Sequence, residues 1–288
     1  MHICQAWKLK MISVKIRKRN LKFGHTVAVV AFNNHASTHV CISQIRKSGF
    51  SGNIILVDNG SDPPFDSLAY KYNCAYIRNK RNRYVNPAWN QIFKICDSRY
   101  LTLLNNDCIP KDNYLNEVIG IMQTHNLSLA VPNAVIVSDI TNYAGSLEAD
   151  SSREIIDINI VKDGHFMTID MQAYTQCQFL IPRGLRIYFG DDWIFGQLRL
   201  HGYLCGQISN RYCIRETGGT TSRNPQLRSI FHKDAQIAHN SPLITQLGVF
   251  SGSIDESALL FWKNRPFYRR LITYIRDKFS LYVGEILP

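Results

Sequence analysis

Apolar runs that stop abruptly on polar residues dominate the first 110 positions. "HTVAVVAF" from residue 25 ends on Asn33, "NIILVD" from 53 on Asp58, "CAYIRN" from 74 on Asn79, and "RYLTLLNND" from 99 on Asn105, Asn106 and Asp107. The runs are apolar on both sides rather than alternating, which predicts strands covered on both faces. Between them lie helical patterns: "STHVCISQIRKSG", stopping at Gly49, a short "FDSLAYKY", and "NPAWNQIFKICDS" with Pro87 in its first turn. Strand and helix in alternation predict a parallel sheet flanked by helices. Ligands of such sheets bind outside the carboxyl ends of the strands. Amides and carboxylates that would be costly to bury unpaired are therefore expected along one edge, lining a cleft.

The second half has a different rhythm. "LSLAVPNAVIVSD" predicts a strand, and a polar stretch follows it. "TIDMQAYTQCQFLIP" starts with alternation and ends as a solid apolar run, which predicts one or two strands. "GDDWIFGQLRLHGY" predicts a helix with an acidic start and a stop at Gly202, and "LCGQISNRYCIRE" a strand or strand pair. Near the end, "ALLFWKNRPFYRRLITYIRDKFSLYV" mixes aromatic and basic residues at roughly helical spacing. That pattern suits a helix in a membrane interface, or one packed on the preceding domain with snorkelling bases.

The strand-end acids carry the first candidate chemistry. Asp58 can accept hydrogen bonds from a ribose or base, and Asp107 can hold a divalent ion through hard oxygen contacts. Either can instead merely cap a helix or start a turn. No GxxxxGK[ST] and no GxGxxG occurs, which removes the main support for P-loop and dinucleotide-binding readings.

"IILVDNGSD", "LLNNDCIP" and "FGDDWIFGQLRLHGY", in this order and spacing, resemble three motifs of glycosyltransferase family 2. The resemblance spans about residues 25–222. It implies an α/β fold of the GT-A (Rossmann-like) type: a mostly parallel central sheet flanked by helices, with a smaller acceptor-side region. The implied activity is inverting sugar transfer from a nucleoside-diphosphate sugar. Donor contacts would fall to Phe32, Asn33, Asp58, Asn79, Arg81, Asn90, Asn105 and Asn106. The NND triplet stands in place of the family's DxD, with Asp107 as ligand to Mn2+ or Mg2+ and Asn105 where the first Asp would be. Asp192 would be the general base, Asp191 its support, and Trp193 a surface for the acceptor sugar or a core residue. Where the family places a metal-binding His, this chain has Glu216, with His232 and His239 as alternatives. "RNKRNRYVNPAWN" brings Arg78, Lys80, Arg81 and Arg83 to the same edge, suited to a diphosphate or simply solvated.

Charge adds one refinement. The chain has 33 Lys/Arg and 22 Asp/Glu; residues 1–24 and 262–278 together hold 13 of the bases and one acid, leaving 20 bases and 21 acids elsewhere. A neutral body with basic ends favours an anionic membrane surface as partner, or solvated tails. The expected organisation is a basic extension (1–24), a catalytic domain (25–225, with donor half 25–110 and acceptor half 111–225) and a helical basic and aromatic segment (226–288). A glycan or lipid-linked saccharide is the expected acceptor, in polysaccharide biosynthesis. Modified nucleic acid is the alternative, and a sugar-nucleotide-binding module without catalysis the reading from another class. Eight scattered cysteines without a CxxC pair fit reduced thiols. No secretory signal and no spanning segment is evident, so the expected location is cytoplasmic, peripheral on the membrane.

Overall fold

Each strand of the first half divides its side chains between two cores, as the two-residue period of a strand demands. In β1 (His25–Ala31) every residue is buried. Val27, Val29 and Ala31 enter one core, and Ala28 and Val30 the other. β2 (Asn53–Asp58) divides the same way, Ile54 and Leu56 against Ile55 and Val57. A computed structural model describes residues 24–111, 113–141, 155–157, 164–216 and 226–241.

The first core is closed by α1 (His35–Lys47), through Cys41, Ile42 and Ile45, and by α4 (Tyr114–Thr124), through Leu115, Val118, Ile121 and Met122. The second is closed by α3 (Val85–Ile95), through Ala88, Trp89, Ile92 and Phe93, by α5 (Met171–Cys177) and by α6 (Gly190–Leu200). A short α2 (Asp66–Lys71) leads into β3 (Ala75–Arg78).

β4 (Tyr100–Asn105), β5 (Cys108–Pro110), β6 (Leu127–Val137), β7 (Ile156–Asp157), β8 (Phe166–Asp170) and β9 (Leu204–Glu216) complete a nine-stranded sheet, ordered β3-β2-β1-β4-β8-β6-β9-β5 with β7 beside β9. β1 through β4 are mutually parallel. β8 is antiparallel to both β4 and β6, so β6 runs with β4, and β9 is parallel to β6. β5 and β7 are antiparallel to β9. Six strands thus share one direction, a mostly parallel sheet in which β5, β7 and β8 are reversed.

Two local expectations change and one left open is decided. The "MQAYTQC" stretch is the helix α5, not strand, because the Asp170 side chain accepts the N–H of Gln172 and caps it. "LCGQISNRYCIRE" is one continuous strand, β9, rather than a pair. α4, for which no element was expected, has its buried residues at helical spacing. A last helix, α7 (Gln226–Asn240), follows β9 in the chain. Among the described residues no helix is long and apolar enough to cross a membrane. The seven described cysteines are free, five of them buried. The basic N-terminal extension apart from Gly24, the 218–222 loop and the aromatic and basic C-terminal run lie outside the described residues.

Candidate active site

Sheet register brings the strand-end residues to one level. Asn105 pairs with Val30, Asp58 with Ala31, and Arg78 with Asp58. With strands about 5 Å apart, Asp58 and Asn105 flank the end of β1 at roughly 10 Å from each other. The chain leaves β1 toward β2 and β3 on one side and returns to β4 on the other. The carboxyl ends of β1 and β4 therefore bound the crevice where such sheets bind ligands.

Asp58 builds this edge rather than lining it. Its side chain is fully buried. One carboxylate oxygen accepts the N–H groups of Gly60 (3.1 Å) and Ser61 (2.7 Å). The other accepts Phe65 N–H (3.3 Å), the Tyr76 hydroxyl (2.7 Å) and the Arg78 guanidinium (3.0 Å). The expected contact of this carboxylate with a nucleoside finds no open face. Gly60 at φ +86 lets the loop press onto Arg81, whose Cα would lie 2.8 Å from an added Cβ. Ser61 in turn accepts the N–H of Asn33, and the Asn33 side chain accepts that of Asp62, latching the loops after β1 and β2 together.

Other expected donor residues divide by accessibility. The Asn79 amide is buried between Asn59 and Gln91, and Asn90 exchanges two hydrogen bonds with the Ile181 backbone. Asn106 is buried and donates to Thr38. These three amides hold the edge together through hydrogen bonds within the protein. Phe32 and Asn105 are half-buried, and Asn33 and Arg81 exposed, at the crevice. Asn59 escaped the sequence reading: it also donates to Tyr84 O and accepts Arg83 N–H, tying β2 to the loop before α3.

Asp107 and Glu216 come together where β5 meets β9. Cys108 pairs with Arg215, and Glu216 N–H donates to Asp107 O at 3.0 Å. Both side chains are buried, and Glu216 accepts a hydrogen bond from Ser37. Burial pushes the Asp107 carboxyl above its ordinary range; Arg215 opposes this and the Glu216 charge adds to it. Among the described residues no group of three or more His, Cys, Asp or Glu gathers as a metal cluster. Two hard carboxylates still fit a Mg2+- or Mn2+-type ion, which takes one or two protein carboxylates and completes its shell with waters and substrate phosphate. Of the alternative ligands, His232 is exposed and rests on Phe231, and the His239 side chain lies outside the described residues.

A short relay joins α6 to this edge. Asn105 N–H donates to His165 O at 2.9 Å, and the neighbouring Gly164 N–H donates to the Asp191 carboxylate at 3.0 Å. Asp192 follows in the first turn of α6, half-buried. Burial and the charge of Asp191 push its carboxyl up to about 8. Trp193 is 5% exposed inside the second core, which corrects the acceptor-stacking reading: its ring is buried among apolar side chains. A Cβ on Gly164 would fall inside van der Waals contact of the Asp191 carboxylate. Gly164→Ala is accordingly expected to lower turnover about 10²-fold, measured at saturating donor. A rate equal to wild type would show that the Gly164–Asp191 contact does not matter.

Lys94 stands in the last turn of α3. Lys94 is held below its ordinary range by burial and by Arg183 and Arg83, so the three lie close enough to repel. Arg186 stacks over Tyr84, its guanidinium carbon 5.6 Å from the ring centre.

Known proteins share this fold. Residues 26–193, more than half of the chain, match the model for "Glycosyl transferase family 2". No curated protein matches significantly. Solved structures with the same fold include S. aureus TarS 1–349 (13% identity, TM-score 0.54, covering 77% of this chain and 69% of that one). Full S. aureus TarS gives 10% identity and a TM-score of 0.58, with 82% of this chain and 41% of that one covered. GalNAc-T7 with UDP, GalNAc and Mn2+ gives 13% identity and a TM-score of 0.55, with 77% and 50% covered. The shared architecture is the GT-A fold. The chain is a glycosyltransferase and belongs to glycosyl transferase family 2.

Proposed function

We propose that this enzyme transfers a sugar from a nucleoside-diphosphate sugar to an acceptor hydroxyl with inversion, and that Asp192 is its general base. The observation that carries the reading is a half-buried carboxyl raised to about 8, on the residue that follows the end of a relay into the carboxyl edge of the sheet. A base works best when its pKa lies near the operating pH. The acceptor oxygen attacks the anomeric carbon as its proton passes to the Asp192 carboxylate. The bond from that carbon to the diphosphate oxygen breaks on the opposite face, and the nucleoside diphosphate leaves with the electron pair. Asp191, held by Gly164, orients its neighbour.

Asp107 and Glu216 would hold Mn2+ or Mg2+. Such an ion, when bound, neutralises charge on the departing diphosphate. TarS 1–349 and GalNAc-T7 bear on this only as analogues: TarS 1–349 was solved with UDP-GlcNAc, and GalNAc-T7 with UDP, GalNAc and Mn2+. The accessible donor contacts proposed are Phe32, Asn33, Arg81 and Asn105, with Asp58, Asn79, Asn90 and Asn106 shaping the loops beneath.

A thermal-shift titration tests the donor and ion sites together. A nucleoside diphosphate plus Mn2+ at about 100 times its dissociation constant adds about 2.7 kcal/mol to the native state, a rise of several degrees. Asp107→Asn and Glu216→Gln are each expected to remove the Mn2+-dependent part of that rise. An undiminished Mn2+ response in both variants would rule out this pair as ligands.

A further inference from the structure

The loop that delivers the acidic pair is gripped from two sides. On one side Asn86 of α3 donates its backbone N–H to Arg186 O (3.0 Å) and its side-chain amide to Tyr188 O (3.1 Å). On the other, three successive backbone N–H groups, from Arg186, Ile187 and Tyr188, converge on one oxygen of Asp234 at 3.0, 2.8 and 2.9 Å. Asp234 belongs to α7, more than forty residues further along the chain, and its side chain is fully buried. Its second oxygen is buried without a hydrogen-bond partner among the described residues. Phe231 of the same helix packs edge-on to Tyr188, ring centres 4.9 Å apart, and the Ile237 side chain closes over Gly184.

A carboxylate held in a concave row of amides is an anion nest turned inward. Charge-assisted bonds of this kind are roughly twice as strong as neutral ones. The residue after the nest, Phe189, is forced into the left-handed region at φ 61, and its carbonyl then accepts the first bond of α6, from Trp193 N–H at 3.0 Å. Asp191 and Asp192 lie between those two points. Their placement is therefore set by where residues 186–188 are held.

We propose that Asp234 is a positioning residue for the Asp191–Asp192 pair, acting through the 186–188 amides. This rests on the reading of Asp192 as the base and extends it to a helix outside the matched region of the family. α7 also follows Glu216 in the chain, so the segment that leaves the carboxylate pair returns to brace the acidic one.

The test compares Asp234→Ala, Asp234→Asn and Asp192→Asn in the full chain, with hydrogen exchange of the 184–189 peptide as a second readout. Asp234→Ala is expected to lower kcat about 10²-fold, as a displacement near 1 Å does, with donor KM within twofold of wild type and faster exchange in 184–189. Asp234→Asn keeps an acceptor oxygen but not the charge, and is expected to recover only part of the loss, to a kcat about five- to tenfold below wild type. If the alanine variant does not fold, the asparagine variant decides: a five- to tenfold loss in kcat at unchanged donor KM supports the proposal. A wild-type kcat in either folded variant, or kcat and donor KM worsening together, overturns it. Should Asp192→Asn retain full activity, it is the base assignment that fails. An inactive Asp192→Asn beside a fully active Asp234→Ala removes the positioning role alone.

Discussion

Asp192→Asn is expected to lower kcat by about 10³-fold, within the range that general-base catalysis contributes, while donor binding stays within twofold of wild type. The amide matches the carboxyl in size but has no lone-pair anion to accept the acceptor's proton. In the wild-type enzyme the carboxyl is protonated below about 8. The rate should therefore climb about tenfold per pH unit up to that point and level above it, and the variant should lack this limb. The two neighbouring acids titrate as a pair, so the limb reports the pair. Stability should move the opposite way. The folded carboxyl keeps its proton up to about 8, whereas an unfolded Asp loses it near 3.9. The unfolded chain thus binds fewer protons between those values, and the contribution of this group to stability is lost as pH rises through the window. Removing the charge should raise the thermal midpoint above pH 8. Calorimetry and a pH–rate series on the same two proteins check both signs; an unchanged rate with an intact limb would remove Asp192 as base.

Asp58→Ala should be the most destabilising single change at the site. It leaves three backbone N–H groups, a tyrosine hydroxyl and a guanidinium facing a buried gap. Leaving a buried donor unsatisfied costs about 1–3 kcal/mol, so three together cost several kcal/mol, which for a domain of this size lowers the midpoint by roughly 10 °C. Donor affinity should fall with it, because the Gly60–Arg81 contact and the Asn33–Ser61 latch depend on the turn that Asp58 holds. Arg78 is 42% exposed, and without it Asp58 keeps its four other donors, so Arg78→Ala should cost less. Denaturant melts of the two variants measure the difference. Equal small losses would mean that the backbone donors around Asp58 contribute little.

The strands were legible because burial on both faces leaves no alternation to misread. β1, β2 and β4 are the three purest apolar runs, and they form the parallel centre. α6 was legible at both ends, from its acidic first turn and from Gly202 at φ +85. α5 was missed because its apolar residues continue those of β8 without a break, and only the Asp170 cap marks the change. The site residues divide for a physical reason. A motif marks which loop is functional but not whether a side chain faces the crevice or the loop behind it. Asp58, Asn79, Asn90 and Asn106 all turn inward, satisfying backbone and amide groups that the tight loops would otherwise leave unpaired. Trp193 had two readings, and burial decides for the core. Asp234 carried no readable signal, since its partners lie more than forty residues away and α7 resembles any mixed polar helix.

The central claim is that the strand-end loops, the Asp107–Glu216 pair and the α6 acids surround one donor pocket. A crystal of the full chain grown with a nucleoside diphosphate and Mn2+, with data collected at the manganese edge, tests it directly. The account predicts an anomalous peak between Asp107 and Glu216, the diphosphate beside Asn105 and Arg81, and the Asp192 carboxylate facing the space beyond the terminal phosphate. A nucleotide bound away from the carboxyl ends of β1 and β4, with manganese on other residues, would contradict it.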